Sequence, residues 1–179
     1  MLKNWKALLA AGLVVVAVGL VVYWYCWPCC TTTVIVLRHA EKVDPSPLPD
    51  DEVPLTTAGE TRAETLAQVL DRSGVTKIYV TEKLRTQQTA KPLALARGIT
   101  PVEIPKANTN QLVSELLGAG NRRRVIVVVG HSDTVPDIVT GLGGGTVTVG
   151  ANEFDNLFVI TRRQPGPTRI ILATYGEPR

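Results

Sequence analysis

The chain has 179 residues, with 19 lysines and arginines against 16 aspartates and glutamates and a pI of about 8.9. Two of the basic residues and none of the acidic ones fall in residues 1–30, so the rest is close to neutral and a nucleic-acid partner is excluded as an expectation. Residues 31–179 are enough for one domain with a sizeable core, and residues 1–30 read as an appendage.

Ala7 to Trp27 is a run of 21 residues without a charge, preceded by Lys3 and Lys6 and closed by Tyr23, Trp24, Tyr25 and Trp27. Such a run has the length of a membrane-spanning helix with an aromatic belt. It predicts a single-pass anchor over residues 1–30, with the amino terminus inside and the domain outside, periplasmic or extracellular. A cleaved signal peptide would have a shorter apolar region followed by small residues, whereas aromatics and Pro28 follow here. All three cysteines, Cys26, Cys29 and Cys30, lie at the end of this run. Interfacial thiols, lipidation or an intermolecular disulfide suit that place better than a thioredoxin-like redox motif.

Val34-Ile35-Val36-Leu37 reads as a short buried strand that delivers Arg38 and His39 at its carboxyl end. The prolines of residues 45–54 make the next stretch a loop. Thr57-Ala58-Gly59-Glu60 opens an amphipathic helix, with Ala63, Leu66, Ala67 and Leu70 on one face and an end near Arg72. Lys77–Thr81 is a strand. Leu84–Arg97 is a helix in which Pro92 predicts a kink or a late start, and Gly98 caps it. Val102–Ile104 is a strand, Asn108–Leu117 a helix, and Arg122-Arg123-Arg124 a solvated turn. Val125–Val129 is a second buried strand, leading through Gly130 into His131. Pro136–Leu142 is a short helix, and strands at 157–161 and 169–174 form a hairpin around Gln164–Pro167.

This alternation predicts a three-layer α/β domain over residues 31–179: a mainly parallel sheet with helices on both faces and a C-terminal antiparallel hairpin. Ligand crevices in such sheets form at the carboxyl ends of strands. Three of those ends supply polar groups: Arg38 with His39, Thr81 with the following Arg85, and His131 with Ser132. Two guanidiniums and two imidazoles facing one crevice suit a dianion with three peripheral oxygens, which describes a phosphoryl group. A metal held by His39, His131, Glu41 and Asp133 is a poor alternative, because Arg38 and Arg85 would repel a cation.

These residues resemble the histidine phosphatase superfamily, the phosphoglycerate-mutase-like fold, and its small phosphatase branch. Arg38-His39-Ala40-Glu41 is similar to that family's Arg-His-Gly/Ala signature, and Leu55-Thr56-Thr57-Ala58-Gly59 to its Leu-Thr-x-x-Gly element. Thr81–Ala90 resembles its Ser-x-x-x-Arg-Ala-x-Gln-Thr-Ala block, and Gly130-His131-Ser132 its second-histidine motif. The four occur in the family's order. The resemblance implies a metal-independent phosphatase without a cofactor, acting on phosphate monoesters or phosphoramidates through a phosphohistidine on His39. Arg38, Arg85 and His131 would bind the phosphoryl oxygens, and Lys42 stands where some members carry a further phosphate-binding base. The usual acid position, after the third strand, reads Pro105-Lys-Ala-Asn-Thr-Asn110 and holds no carboxylate, so Asp133, Glu41 and Glu103 are the candidates for protonating the leaving group. The expected partners are a phosphorylated small molecule, phosphoprotein or glycolipid, together with the membrane. A non-catalytic phosphate-binding module and a phosphomutase are the alternatives.

Overall fold

The computed structural model describes residues 5–26, 31–164 and 166–176. Helix α1 (Trp5–Cys26) is followed by β1 (Thr31–Arg38), α2 (Thr57–Val69), β2 (Val75–Val80) and α3 (Leu84–Arg97). Then come β3 (Val102–Glu103), α4 (Thr109–Leu117), β4 (Val125–Gly130), α5 (Thr134–Gly141), β5 (Asn156–Arg163) and β6 (Thr168–Thr174).

The six strands form one sheet in the order β3-β2-β4-β1-β5-β6. Pairs β1–β4, β2–β4 and β2–β3 are parallel, while β1–β5 and β5–β6 are antiparallel. Side chains alternate across a strand, and each face of the sheet has its own cluster. Val34, Val36, Ile126, Val128, Phe158 and Ile160 pack with Leu112 and Leu116 of α4 and Val135 and Ile138 of α5. Ile35, Leu37, Ile78, Val127, Val129 and Leu157 pack on the opposite face with Leu66 of α2 and Leu93 of α3. The mixed α/β sheet, the helices on both faces and the terminal hairpin agree with the sequence pattern.

Boundaries moved where tertiary pairing extends the strands. Strand β1 starts at Thr31 because β5 pairs with it as far back as Thr31↔Arg163. Strand β2 starts at Val75, with a register shift between Val75 and Lys77. Pro92 lies inside α3, which runs from Leu84 without the late start. Strand β3 shrinks to two residues, although the Ile104 amide still reaches the Val80 carbonyl at 2.9 Å.

The membrane expectation is corrected. Among the described residues no helix is long and apolar enough to cross a membrane. The single-pass placement, the outside domain and the membrane partner are overturned with it. Cys29, Cys30 and the side chain of Cys26 lie outside the described residues, as does Pro165 in the hairpin turn.

Candidate active site

Strands β1 and β4 lie side by side in parallel, with Arg38 opposite Gly130. The residue after each is therefore brought to the same edge, and the His39 amide donates to the Gly130 carbonyl at 2.9 Å. The two imidazoles meet edge to face with centroids 5.3 Å apart, His39 only 4% and His131 only 3% exposed.

His39 Nδ1 lies 2.8 Å from the Ala40 carbonyl oxygen. A carbonyl only accepts, so Nδ1 carries the proton and Nε2 keeps its lone pair. Burial, with the neighbouring His131, Arg85 and Arg38, lowers the His39 pKa to about 3 against the opposing hydrogen bond to Ala40. The ring is thus neutral near pH 7, as a nucleophilic imidazole must be. For His131, burial and then Arg85 and Lys106 lower the pKa to about 4. Its Nε2 lies 3.0 Å from the Thr81 hydroxyl, its amide donates to Thr134 Oγ1 at 2.9 Å, and its Nδ1 is buried without a partner.

Arg38 donates from Nη1 to the carbonyls of Gly150 at 2.8 Å and Ala151 at 2.7 Å, and its guanidinium lies 4.1 Å over the Phe154 ring. Burial, then Arg85, lowers its pKa. Arg85, on the first turn of α3, is buried and meets Asp50 of the loop before α2. Both arginines keep a buried Nε without a partner. Arg38, Arg85 and His131 are also the charged or titratable neighbours that act on His39, and the two unpaired buried N–H donors of the arginines suit an anion there.

The backbone around His39 is set from two sides. The Thr89 hydroxyl donates to the Arg85 carbonyl at 2.7 Å and accepts the Ala40 amide at 3.0 Å, tying the histidine loop to α3. The Thr56 amide donates to the Glu41 carbonyl at 2.9 Å, and the Thr56 hydroxyl caps α2 by accepting the Gly59 amide at 3.1 Å. A methyl group at Gly59 would overlap the Glu41 carbonyl oxygen, so only glycine permits α2 to approach this closely. The Leu-Thr-x-x-Gly element is thus a brace for the histidine loop.

The expected carboxylates and Lys42 are placed as follows. Glu41 is engaged with Arg62, whose Nε donates to both carboxylate oxygens at 2.9 and 3.0 Å. Asp133 pairs with Lys106 at 2.7 Å; burial raises its pKa, but the Lys106 hydrogen bond and charge, with its own backbone amide and His131, lower it on balance. Glu103 accepts from Gln87 at 3.1 Å. Lys42 bridges to Leu55, closing the base of the intervening loop. An open groove of about 570 Å³ is lined by Asp50, Glu82, Lys83, Lys106, Asp133 and Thr134, and reaches the site through Asp50, the partner of Arg85, and Thr134, whose hydroxyl accepts the His131 amide. Among the described residues no three His, Cys, Asp or Glu side chains are grouped to hold a metal.

Sequence reasoning missed Asp50, Lys106, Phe154 and the carbonyls of Gly150 and Ala151. Between the helix ending at Leu142 and the strand at 157–161 the sequence carries no sign of where backbone carbonyls point. Asp50 sits among prolines and acids in a stretch with no periodicity.

The sequence model of the histidine phosphatase superfamily (branch 1) matches residues 34–109. A search of curated proteins finds no match. Among solved structures, the chain is similar to the protein histidine phosphatase SixA complexed with tungstate, with 18% identity, a TM-score of 0.67, and coverage of 79% of this chain and 96% of that one. It is similar also to a protein from Agrobacterium tumefaciens assigned as the phosphohistidine phosphatase SixA, with 24% identity, a TM-score of 0.59, and 82% and 98% of the two chains covered. A mycobacterial glucosyl-3-phosphoglycerate phosphatase shares 16% identity and a TM-score of 0.60, over 83% of this chain and all of the other. At these identities the likeness is one of fold.

Proposed function

From the match of residues 34–109 to the histidine phosphatase superfamily model and the likeness of fold to histidine phosphatases, we propose that the chain is a phosphatase of that superfamily and works through a phosphohistidine on His39. The observation that carries this reading is the pairing of a buried imidazole, held with Nε2 free by the Nδ1–Ala40 hydrogen bond, with unpaired N–H donors on Arg38 and Arg85.

His39 Nε2 attacks phosphorus in line, forming the N–P bond as the bond to the leaving oxygen or nitrogen breaks. Arg38, Arg85 and His131 hydrogen-bond the three peripheral oxygens as charge develops on them. Water then attacks phosphorus, inorganic phosphate leaves, and His39 returns to its neutral form. The guanidiniums supply the positive charge that a metal ion supplies in other phosphoryl transfers, so turnover is metal-independent.

The substrates are phosphate monoesters or phosphoramidates whose leaving group needs little protonation. Support for this comes from the candidate acids: Asp133 is kept ionised by Lys106, and Glu41 is committed to Arg62. The open groove admits a bulky phosphorylated substrate, small molecule or phosphoprotein. The test is hydrolysis of an aryl phosphate in excess chelator, with acid-labile phosphate trapped on the enzyme by rapid quenching. A strict metal requirement, or trapped label that persists in His39→Ala, refutes the reading.

A further inference from the structure

Both arginines are held through their Nη groups and keep Nε without a partner. A guanidinium presents five N–H donors in one plane, shared between a head edge, Nη1 with Nη2, and a side edge, Nε with Nη2. On Arg38 both Nη1 protons go to the Gly150 and Ala151 carbonyls, and Nε has no partner. On Arg85, Nη1 donates to the Asp50 carbonyl and lies 3.2 Å from Asp50 Oδ1, Nη2 donates to Oδ2 at 3.2 Å, and Nε again has no partner. One residue closes the head edge of Arg85 and leaves the side edge open. A buried N–H without a partner is costly to keep, which marks that edge as the one a ligand takes.

Asp50 is itself well fixed. Its loop is closed at the base by the Lys42–Leu55 bridge and by the Val43 amide on the Pro54 carbonyl at 3.0 Å. At the tip, the next residue, Asp51, accepts the Leu84 amide at 2.8 Å, which docks the loop on the start of α3. Lys83 Nζ lies 3.2 Å from Asp50 Oδ2, the oxygen that also accepts from Arg85 Nη2, and so holds the carboxylate too. The hydrogen bond from Arg85, ahead of that from Lys83, lowers the Asp50 pKa to about 2, so the clamp is charged across the working range.

We propose that Asp50 is a positioning residue of the phosphoryl site, clamping the head edge of Arg85 so that its Nε–Nη2 edge faces the transferring group. The proposal rests on the phosphatase reading of the site. It differs from the opposite role open to an acid beside a phosphate-binding arginine, that of an internal competitor which substrate must displace. The two roles predict opposite signs. Losing a positioning clamp weakens anion binding, whereas losing a competitor strengthens it.

The experiment uses the full chain with Asp50→Asn and Asp50→Ala, alone and with Arg85→Ala, reading kcat and KM for an aryl phosphate and the Kd for tungstate. Both Asp50 variants are expected to lower kcat/KM about tenfold and weaken tungstate binding by a similar factor, with Asp50→Glu recovering part of the loss. With Arg85→Ala already present, losing Asp50 should change the residual rate less than about twofold, because the two act as one unit. Tighter tungstate binding in Asp50→Asn overturns the clamp in favour of a competitor. A tenfold loss that persists in the Arg85→Ala background overturns it in favour of loop folding. Wild type that binds tungstate and turns over, beside an unchanged Asp50→Asn, overturns this inference alone. Wild type that does neither overturns the phosphatase reading and the clamp with it.

Discussion

The chain contains two histidines, and both are in the site, so every histidine proton in a pH titration reports on it. In the folded protein burial holds His39 near a pKa of about 3 and His131 near about 4, whereas the unfolded chain titrates both at about 6.5. The sign follows from proton counting. Below pH 6.5 the unfolded state binds protons that the folded state refuses, so stability is full above the unfolded value and is lost as pH falls towards the folded values. Between pH 7 and pH 5 each histidine contributes about 2 kcal/mol to that loss, about 4 kcal/mol for the pair, a large part of a typical domain stability of about 5–15 kcal/mol. Urea unfolding at half-unit intervals measures it, and a His39→Gln/His131→Gln variant should be nearly flat over the same interval. Proton resonances of the two rings should show no titration in the folded protein above pH 5. A wild-type stability that is level from pH 7 to pH 5, or ring signals that titrate near 6.5, would refute the burial argument. Tungstate should raise both values, since a dianion among the rings favours their charged forms.

His39→Ala should abolish hydrolysis of an aryl phosphate and eliminate the acid-labile phosphoenzyme, measured by rapid quench. Arg38→Ala and Arg85→Ala should each lower kcat by about 10²–10³, the loss typical of one transition-state donor, in assays run with chelator present. Gly59→Ala should destabilise the domain by about 1–3 kcal/mol, seen as a lower urea midpoint, because its methyl group meets the Glu41 backbone rather than a side chain that can move. Asp133→Asn should change nitrophenyl and alkyl phosphate hydrolysis by the same small factor, as Lys106 keeps Asp133 ionised. A selective loss on the alkyl ester would instead identify it as the leaving-group acid.

Much of the layout was legible in the chain because it is written locally. The β-branched runs at 34–37 and 125–129 are apolar throughout, which is what a strand covered on both faces requires. Each ends in a histidine, and a parallel pairing of two such strands has to set those histidines together. The four motifs are short, and the Thr56 cap and the Gly59 contact that brace the loop are encoded within five residues.

What tertiary structure alone decided are the partners of the charged groups. Asp50 and Arg85 are 35 residues apart, Arg38 and Ala151 are 113 apart, and Lys106 and Asp133 sit on different connections. A carboxylate beside a histidine in sequence reads the same whether it faces the ligand, as expected of Glu41 and Asp133, or is drawn to Arg62 and Lys106. Charge pairing acts through space over a few ångströms and leaves no periodicity along the chain. The apolar run at Ala7–Trp27 is the converse case: hydropathy by itself predicted a spanning helix, and among the described residues no helix is long and apolar enough to cross a membrane. The sequence determines which groups exist and at which strand ends they emerge. Only the packing of loops 42–55 and 143–155 against those ends decides which edge of each guanidinium is left for a ligand.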